Sequence, residues 1–280
     1  MDEIAGRPGG QPAVTQKDRD LLRSTFDQAA ELYDRTRPGY PAALFDDLAE
    51  LTSIGPGSRV LEIGPGTGQA TLPLAEQGCQ VVAVELGADL AAVARRNLAG
   101  FPRVEVVTAA FEDWPLPAEP FDLVLAATAF HWIDPTVRVD KIADALRPGG
   151  SLATVTTEHI AGGDESFFAE VQDCYVRWDP DTPVALSLKP AIDIPSAHYG
   201  LDRSARFGPA TLRRYESDWS YTTASYIDLL LTYSGHRALE PEAQRNLLDC
   251  IANLIDTRHR GQITKRYLTE LRVAQTSSAA

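Results

Sequence analysis

The chain has few cysteines, no long apolar run and no surplus of positive charge, and each shortage excludes something. Its three cysteines, Cys79, Cys174 and Cys250, lie far apart, are odd in number and form no CxxC. That reads against a disulfide framework and a zinc site, and points to a reducing cytoplasm. No apolar run reaches the ~18 residues of a membrane span. Acidic residues outnumber basic ones by 39 to 26, leaving a formal net charge of −13. Such a field repels phosphate backbones and anionic lipid heads, so neither nucleic acid nor a membrane surface is an expected partner. The phosphate-cradling loop GxxxxGK-Ser/Thr is missing, as is the nucleophile elbow G-x-S-x-G. His159 stands near Asp164 and Glu165 but at no helical ligand spacing, so no metal site is expected.

What is present is an ordinary globular composition, 44% apolar and 23% charged over 280 residues, enough for one large domain. The opening "MDEIAGRPGGQPAVTQ" is rich in Gly, Pro and small polar residues and lacks the basic start and apolar middle of a signal peptide. Residues 1–17 therefore read as a mobile tail and 18–280 as a single domain. The spacing of Leu21, Leu22, Phe26, Ala29, Ala30 and Tyr33 predicts a helix over 18–34, followed by the turn Arg37–Pro41 and a second helix, "AALFDDLAELT". Between 57 and 157, apolar strands alternate with helices, which is the mark of a parallel sheet buried on both faces. After residue 157 that rhythm breaks. A loop and helix lead into a Pro-rich irregular stretch, then an alternating strand with Tyr215, Ser217 and Trp219 on one face. Two more helices precede "GQITKRYLTELRVAQ", which reads as a final edge strand. Segments 158–210 and 222–260 are the expected substrate lid, although plain surface packing explains them equally.

The most informative stretch is "VLEIGPGTGQATLPL", where Gly64, Gly66 and Gly68 follow a buried strand and precede a helix. Backbone N–H groups at such a helix start, with no Cβ atoms in the way, let a polar ligand lie on the main chain. Gln69 stands where the dinucleotide fingerprint G-x-G-x-x-G would need its third glycine, so that pattern fails. Glu85 ends the next strand, where an acidic residue can accept both ribose hydroxyls of an adenosine, and Leu86 offers apolar surface to the adenine.

Together "VLEIGPGTG", "VVAVEL", "FEDWPLPAEPFDLVLAATAFHWID" and "ALRPGG" resemble the motifs of class I S-adenosylmethionine-dependent methyltransferases over residues 57–157. A looser likeness in "FDQAAELYDRTRPGYP", "TYSGH" and "GQITKRYLT" is to small-molecule enzymes that include the trans-aconitate-type carboxyl methyltransferases. The resemblance implies a Rossmann-like α/β fold with a seven-stranded sheet of order 3-2-1-4-5-7-6, the last strand antiparallel. It implies that Glu62 and the Gly64–Gly68 loop face the methionine part of the cofactor and Glu85 the ribose. The adenine would meet the "TAAF" segment, where Ala110 replaces a common Asp. Phe111 would pack on the ring and offer its N–H, Glu112 would be a solvated surface group, and Ala127 would border the cofactor. Tyr33 or Arg37 would reach the methionine carboxylate if the N-terminal segment folds over it.

Methyl transfer from a sulfonium is an in-line displacement that depends on alignment and exclusion of water. An ionised carboxylate acceptor needs no base, whereas a hydroxyl or amine does. His131 follows the fourth strand, where it contacts the acceptor, serves as base, or makes a structural hydrogen bond at a helix start. Arg37, Tyr40, Trp132, Tyr233 and His236 are the other acceptor-side candidates, each also explicable as local packing. An anionic acceptor would need basic groups, for which Arg37, Arg213 and Arg214 are candidates. The expected partner is a small-molecule methyl acceptor, with the protein a monomer or homodimer. The rival readings are a nicotinamide-dependent oxidoreductase and a regulator that binds the cofactor without turning it over.

Overall fold

A computed structural model describes residues 30–179, 188–197, 201 and 204–277. The expected tail, residues 18–29 of the first predicted helix, and parts of the Pro-rich stretch lie outside the described residues.

Seven strands form one sheet: β1 (Arg59–Ile63), β2 (Gln80–Glu85), β3 (Val104–Thr108), β4 (Phe121–Ala127), β5 (Leu146–Gly163), β6 (Thr211–Thr222) and β7 (Gln262–Gln275). The order is β3-β2-β1-β4-β5-β7-β6, with β7 antiparallel, as the resemblance implies. Strand order reverses between β1 and β4, and in open α/β sheets ligands bind outside the carboxyl strand ends at such a point. Register brings Glu62 of β1 opposite Ala83 and Leu125, and Glu85 of β2 opposite Thr108.

By internal contacts the chain divides into two units, and β5, β6 and β7 contribute residues to both. One unit contains Gly39–Thr157, Ser196–Tyr215 and Thr269–Ala280. Here β1 shows why the strands are apolar throughout. Val60 packs with Leu74, Val81 and Leu123 on one side, while Leu61 and Ile63 pack with Val124 and Ile142 on the other. Helix α2 (Ala42–Thr52) buries Leu44, Phe45 and Leu48 in the first of these clusters. Helices α3 (Thr71–Glu76), α4 (Ala88–Asn97) and α5 (Arg138–Ala145) follow β1, β2 and β4 in turn.

The described residues of the other unit fall within 30–38, 158–195 and 216–268. Its helices are α1 (Ala30–Thr36), α6 (Glu165–Glu170), α7 (Gln172–Trp178), α8 (Thr223–Leu230), the single turn α9 (Ser234–Arg237) and α10 (Pro241–Arg258). Leu247, Ile251 and Ile255 recur every fourth residue along α10 and are fully buried with Phe167 and Leu229.

Three expectations are corrected. Cys174 of α7 and Cys250 of α10 form a disulfide, leaving only Cys79 as a free, buried thiol. An odd count does not prevent two of three cysteines from pairing, so the cysteine argument for a reducing cytoplasm falls. Strand β5 continues through "EHIAGG" to Gly163, where a loop is expected. Strand β7 is interior, with β6 and β3 at the edges. Its opening residues alternate like an edge, but every residue from Tyr267 to Ala274 is buried. On β6, Tyr215 and Ser217 are half-buried, whereas Trp219, expected on the same face, is exposed. Among the described residues, no helix is long and apolar enough to cross a membrane, and no metal-holding cluster occurs.

Candidate cofactor and acceptor sites

The glycine loop is built by protein contacts before any ligand enters. Gly64 and Gly68 have φ of +67° and +98°, a region that disfavours side chains. A Cβ on Gly64 would lie 2.7 Å from Ala129 Cβ, and one on Gly68 would lie 3.1 Å from Leu98. The expected reason for these glycines, clearance for a ligand, is therefore preceded by the fold's own packing. The Gly66 N–H donates to Glu85 Oε2 (3.0 Å), and the Gly87 N–H donates to Glu85 Oε1 (2.9 Å). Glu85 thus ties the loop after β1 to the start of α4.

The same loop gathers buried polar atoms with no hydrogen bond inside 3.5 Å: Glu62 Oε2, Thr67 Oγ1, Gln69 Nε2 and Thr71 Oγ1, although the Thr71 hydroxyl is near enough to Glu62 to act on its charge. An unsatisfied buried polar group costs about 1–3 kcal/mol, so four within ten residues mark a place arranged for a polar ligand. Glu62 is 1% exposed. Burial drives its pKa up to about 7, opposed by the Thr71 hydroxyl and assisted by the Glu85 carboxylate. A buried carboxyl poised near neutrality takes an ammonium readily, because the incoming charge restores its ionised form.

At the other strand ends the outcome is mixed. Leu86 is exposed beside Glu85, and Ala127 is buried at the end of β4. Ala110 is half-buried and its carbonyl accepts from Asp113 and Trp114. The Phe111 ring, expected against adenine, is instead buried in the core with Leu61, Ile63 and Val124. Only the Phe111 backbone is left to meet a base. Glu112, expected to be solvated, is half-buried and its Oε1 accepts the Asp134 N–H at 3.1 Å.

Just after β4, Thr128 adopts φ +52°, and its hydroxyl lies 2.9 Å from the Tyr40 hydroxyl. A β-branched residue in the left-handed region is strained. Nothing in the local sequence signals it. His131 lies in the 3-10 turn Phe130–Trp132, its ring 4.8 Å from that of Trp132. Burial above all, with Arg138 the smallest of the causes, lowers its pKa to about 3. It is a neutral imidazole at physiological pH.

The remaining candidates cluster in the other unit. The Arg37 guanidinium lies over the rings of Tyr33 (5.1 Å) and Tyr233 (4.5 Å) and donates to Thr232 Oγ1 at 2.9 Å. His236 is buried, and its Nε2 is 2.8 Å from the Tyr175 hydroxyl. Tyr33, Arg37, Tyr233 and His236 therefore form one group, although they come from distant parts of the chain. Arg213 and Arg214 are corrected as anion binders. Arg214 pairs with the buried Glu270 at 2.8 Å, and Arg213 lies 4.0 Å from Asp47. Sequence reading missed Lys265, which alternation alone placed on a strand.

Residues 60–150 match a family model described as a methyltransferase domain. An uncharacterized methyltransferase of Mycobacterium tuberculosis is 37% identical over 142 residues, covering 51% of this chain and 55% of the relative. The chain thus spans about half the length of such curated relatives. Phosphoethanolamine N-methyltransferase 2 of Haemonchus contortus was solved with phosphomonomethylethanolamine and S-adenosylhomocysteine. It is similar over 95% of this chain and 61% of its own, with TM-score 0.51 and 20% identity. The [4+2]-cyclase SpnF has the same TM-score of 0.51 over 98% of this chain and 100% of its own, at 17% identity, so the fold alone does not decide the chemistry. The matched segment, residues 60–150, is thus similar to a methyltransferase domain, and the sheet around it has the strand order that the resemblance implies.

Proposed function

We propose that the protein transfers a methyl group from S-adenosylmethionine to an oxygen of a small-molecule carboxylic acid. The observation that carries the cofactor half is the set of unpartnered polar atoms around the glycine loop. Glu62 would hold the α-amino group, the loop N–H groups would face the methionine part, and Glu85 would take the ribose hydroxyls. Leu86 and the Phe111 N–H would bound the adenine, with Ala110 and Ala127 beside it.

The bound cofactor supplies an electrophilic methyl on a sulfonium. This chain's residues supply alignment and a dry surrounding. The acceptor half rests on His131. A group whose conjugate acid has a pKa of about 3 is a weak acceptor for an alcohol's proton. A carboxylate already carries its negative charge and asks only to be positioned. His131, Trp132 and Tyr40 are therefore proposed as acceptor contacts, with no proton-transfer step. Arg37, Tyr233 and His236 are proposed as further acceptor-side residues. The trans-aconitate-type likeness supports the same class of acceptor, and the protein would act as a monomer or homodimer.

Replacing Glu85 with Ala is expected to weaken S-adenosylhomocysteine binding by about 1.5–3 kcal/mol, the range for a hydrogen bond to a charged group. Calorimetry reads it, with a melting curve to check that the Gly66 and Gly87 loops hold. An unchanged dissociation constant would remove Glu85 from the site.

A further inference from the structure

Lys265 of β7 is 2% exposed, yet no carboxylate among the described residues pairs with it. An ammonium has three donors. Here the one hydrogen bond is to the Tyr233 hydroxyl, at a long 3.4 Å. Around it stand three aromatic rings, Tyr267 at 5.3 Å, Tyr233 at 5.6 Å and Tyr226 at 5.9 Å. These faces attract a cation but accept no strong hydrogen bond. The His159 ring lies 5.9 Å from that of Tyr267; burial first, and then the Lys265 charge, lowers its pKa, and its buried Nε2 makes no hydrogen bond. Arg37 also stacks on Tyr233, 4.5 Å from its ring. A protein with net charge −13 has thus gathered two cations here, one of them buried with no carboxylate beside it among the described residues.

Packing does not require this. A methionine would fill the same volume, and a buried charge lacking its partner is destabilising. The arrangement suits a ligand that brings negative charge to a place enclosed by tyrosines.

We propose that Lys265 binds the carboxylate of the methyl acceptor, with the Tyr233 hydroxyl and the N–H of His159 Nε2 completing the polar contacts. This rests on the methyltransferase reading and names the acceptor as an organic acid with apolar surface for the tyrosines to cover. The cofactor also carries a carboxylate, so the test separates the two sources.

Melting temperatures would be measured for the wild type, Lys265→Met and Lys265→Arg with benzoate, cinnamate, malonate and citrate. Benzamide and sodium chloride serve as neutral and ionic-strength controls. At least one carboxylate is expected to raise the wild-type melting temperature where benzamide does not. Lys265→Met should melt higher than wild type without ligand and bind that acid about tenfold to a hundredfold more weakly, the loss of a charge-assisted contact. Lys265→Arg should keep part of the response. No response of the wild type to any of the four acids, or equal responses in wild type and Lys265→Met, would overturn the proposal. A parallel titration with S-adenosylhomocysteine should give the same affinity in both proteins. A loss confined to Lys265→Met would place the cofactor's carboxylate at Lys265 and overturn the acceptor assignment. Failure of the wild type to bind S-adenosylhomocysteine would instead defeat the methyltransferase reading, while the carboxylate result would still stand or fall by itself.

Discussion

Replacing Glu62 with Gln is expected to raise stability at pH 8 by about 3 kcal/mol while removing much of the cofactor affinity. The pKa rises from 4.5 to about 7 in the folded protein, and each unit corresponds to about 1.4 kcal/mol. Between those two values the folded chain holds a proton that the unfolded chain has released. Stability is therefore full below pH 4.5, falls as pH rises to about 7, and stays low above it. Gln does not titrate, so the variant lacks that slope and matches wild type only at the acid end. Urea unfolding at pH 5 and pH 8 reads the difference, and equal slopes for the two proteins would refute the buried, neutral carboxyl. Binding gives a second reading. If an ammonium ionises Glu62, wild-type titrations with S-adenosylhomocysteine at pH 7 release protons, so the heat changes between phosphate and Tris buffers. In Glu62→Gln the buffer dependence should vanish along with about 1.5–3 kcal/mol of affinity.

Removing the Cys174–Cys250 disulfide by Cys250→Ser is expected to cost about 4 kcal/mol. The bond closes a loop of 76 residues, and restricting an unfolded chain over that length is worth about this much in the loop-entropy model. It joins α7 to α10 within one unit, whereas the glycine loop belongs to the other. Affinity for S-adenosylhomocysteine should therefore survive in conditions where the variant is folded. A loss in urea unfolding below about 1 kcal/mol would contradict the prediction. Cys79 does not offer a replacement partner. It is buried, and burial pushes its thiol pKa upward, which keeps it unreactive.

Local signals carried much of this fold. Apolar runs in β1 to β5 show because every residue of a doubly covered strand needs an apolar neighbour, and α10 shows because Leu247, Ile251 and Ile255 repeat along one face. The glycine loop and Glu85 were legible because their spacing is set by one strand–turn–helix unit. What stayed hidden depends on partners far along the chain. Arg214 is engaged by Glu270, 56 residues away, and Cys174 finds Cys250 at a separation of 76. Phe111 turns its ring to the core, and only the finished sheet shows that side to be apolar. Lys265 shows in the sequence only as one residue of an alternating strand, and its burial depends on the rings of Tyr226, Tyr233 and Tyr267 that gather around it.

The most direct measurement is calorimetric titration of the purified protein with S-adenosylmethionine, S-adenosylhomocysteine and NAD in parallel. The Gly64–Gly68 loop with Gln69 in place of a third fingerprint glycine predicts binding of the first two and none of the third. Binding of NAD alone, or of none of the three, would contradict the central claim that the loop and its unpartnered polar atoms are a methyl-donor site.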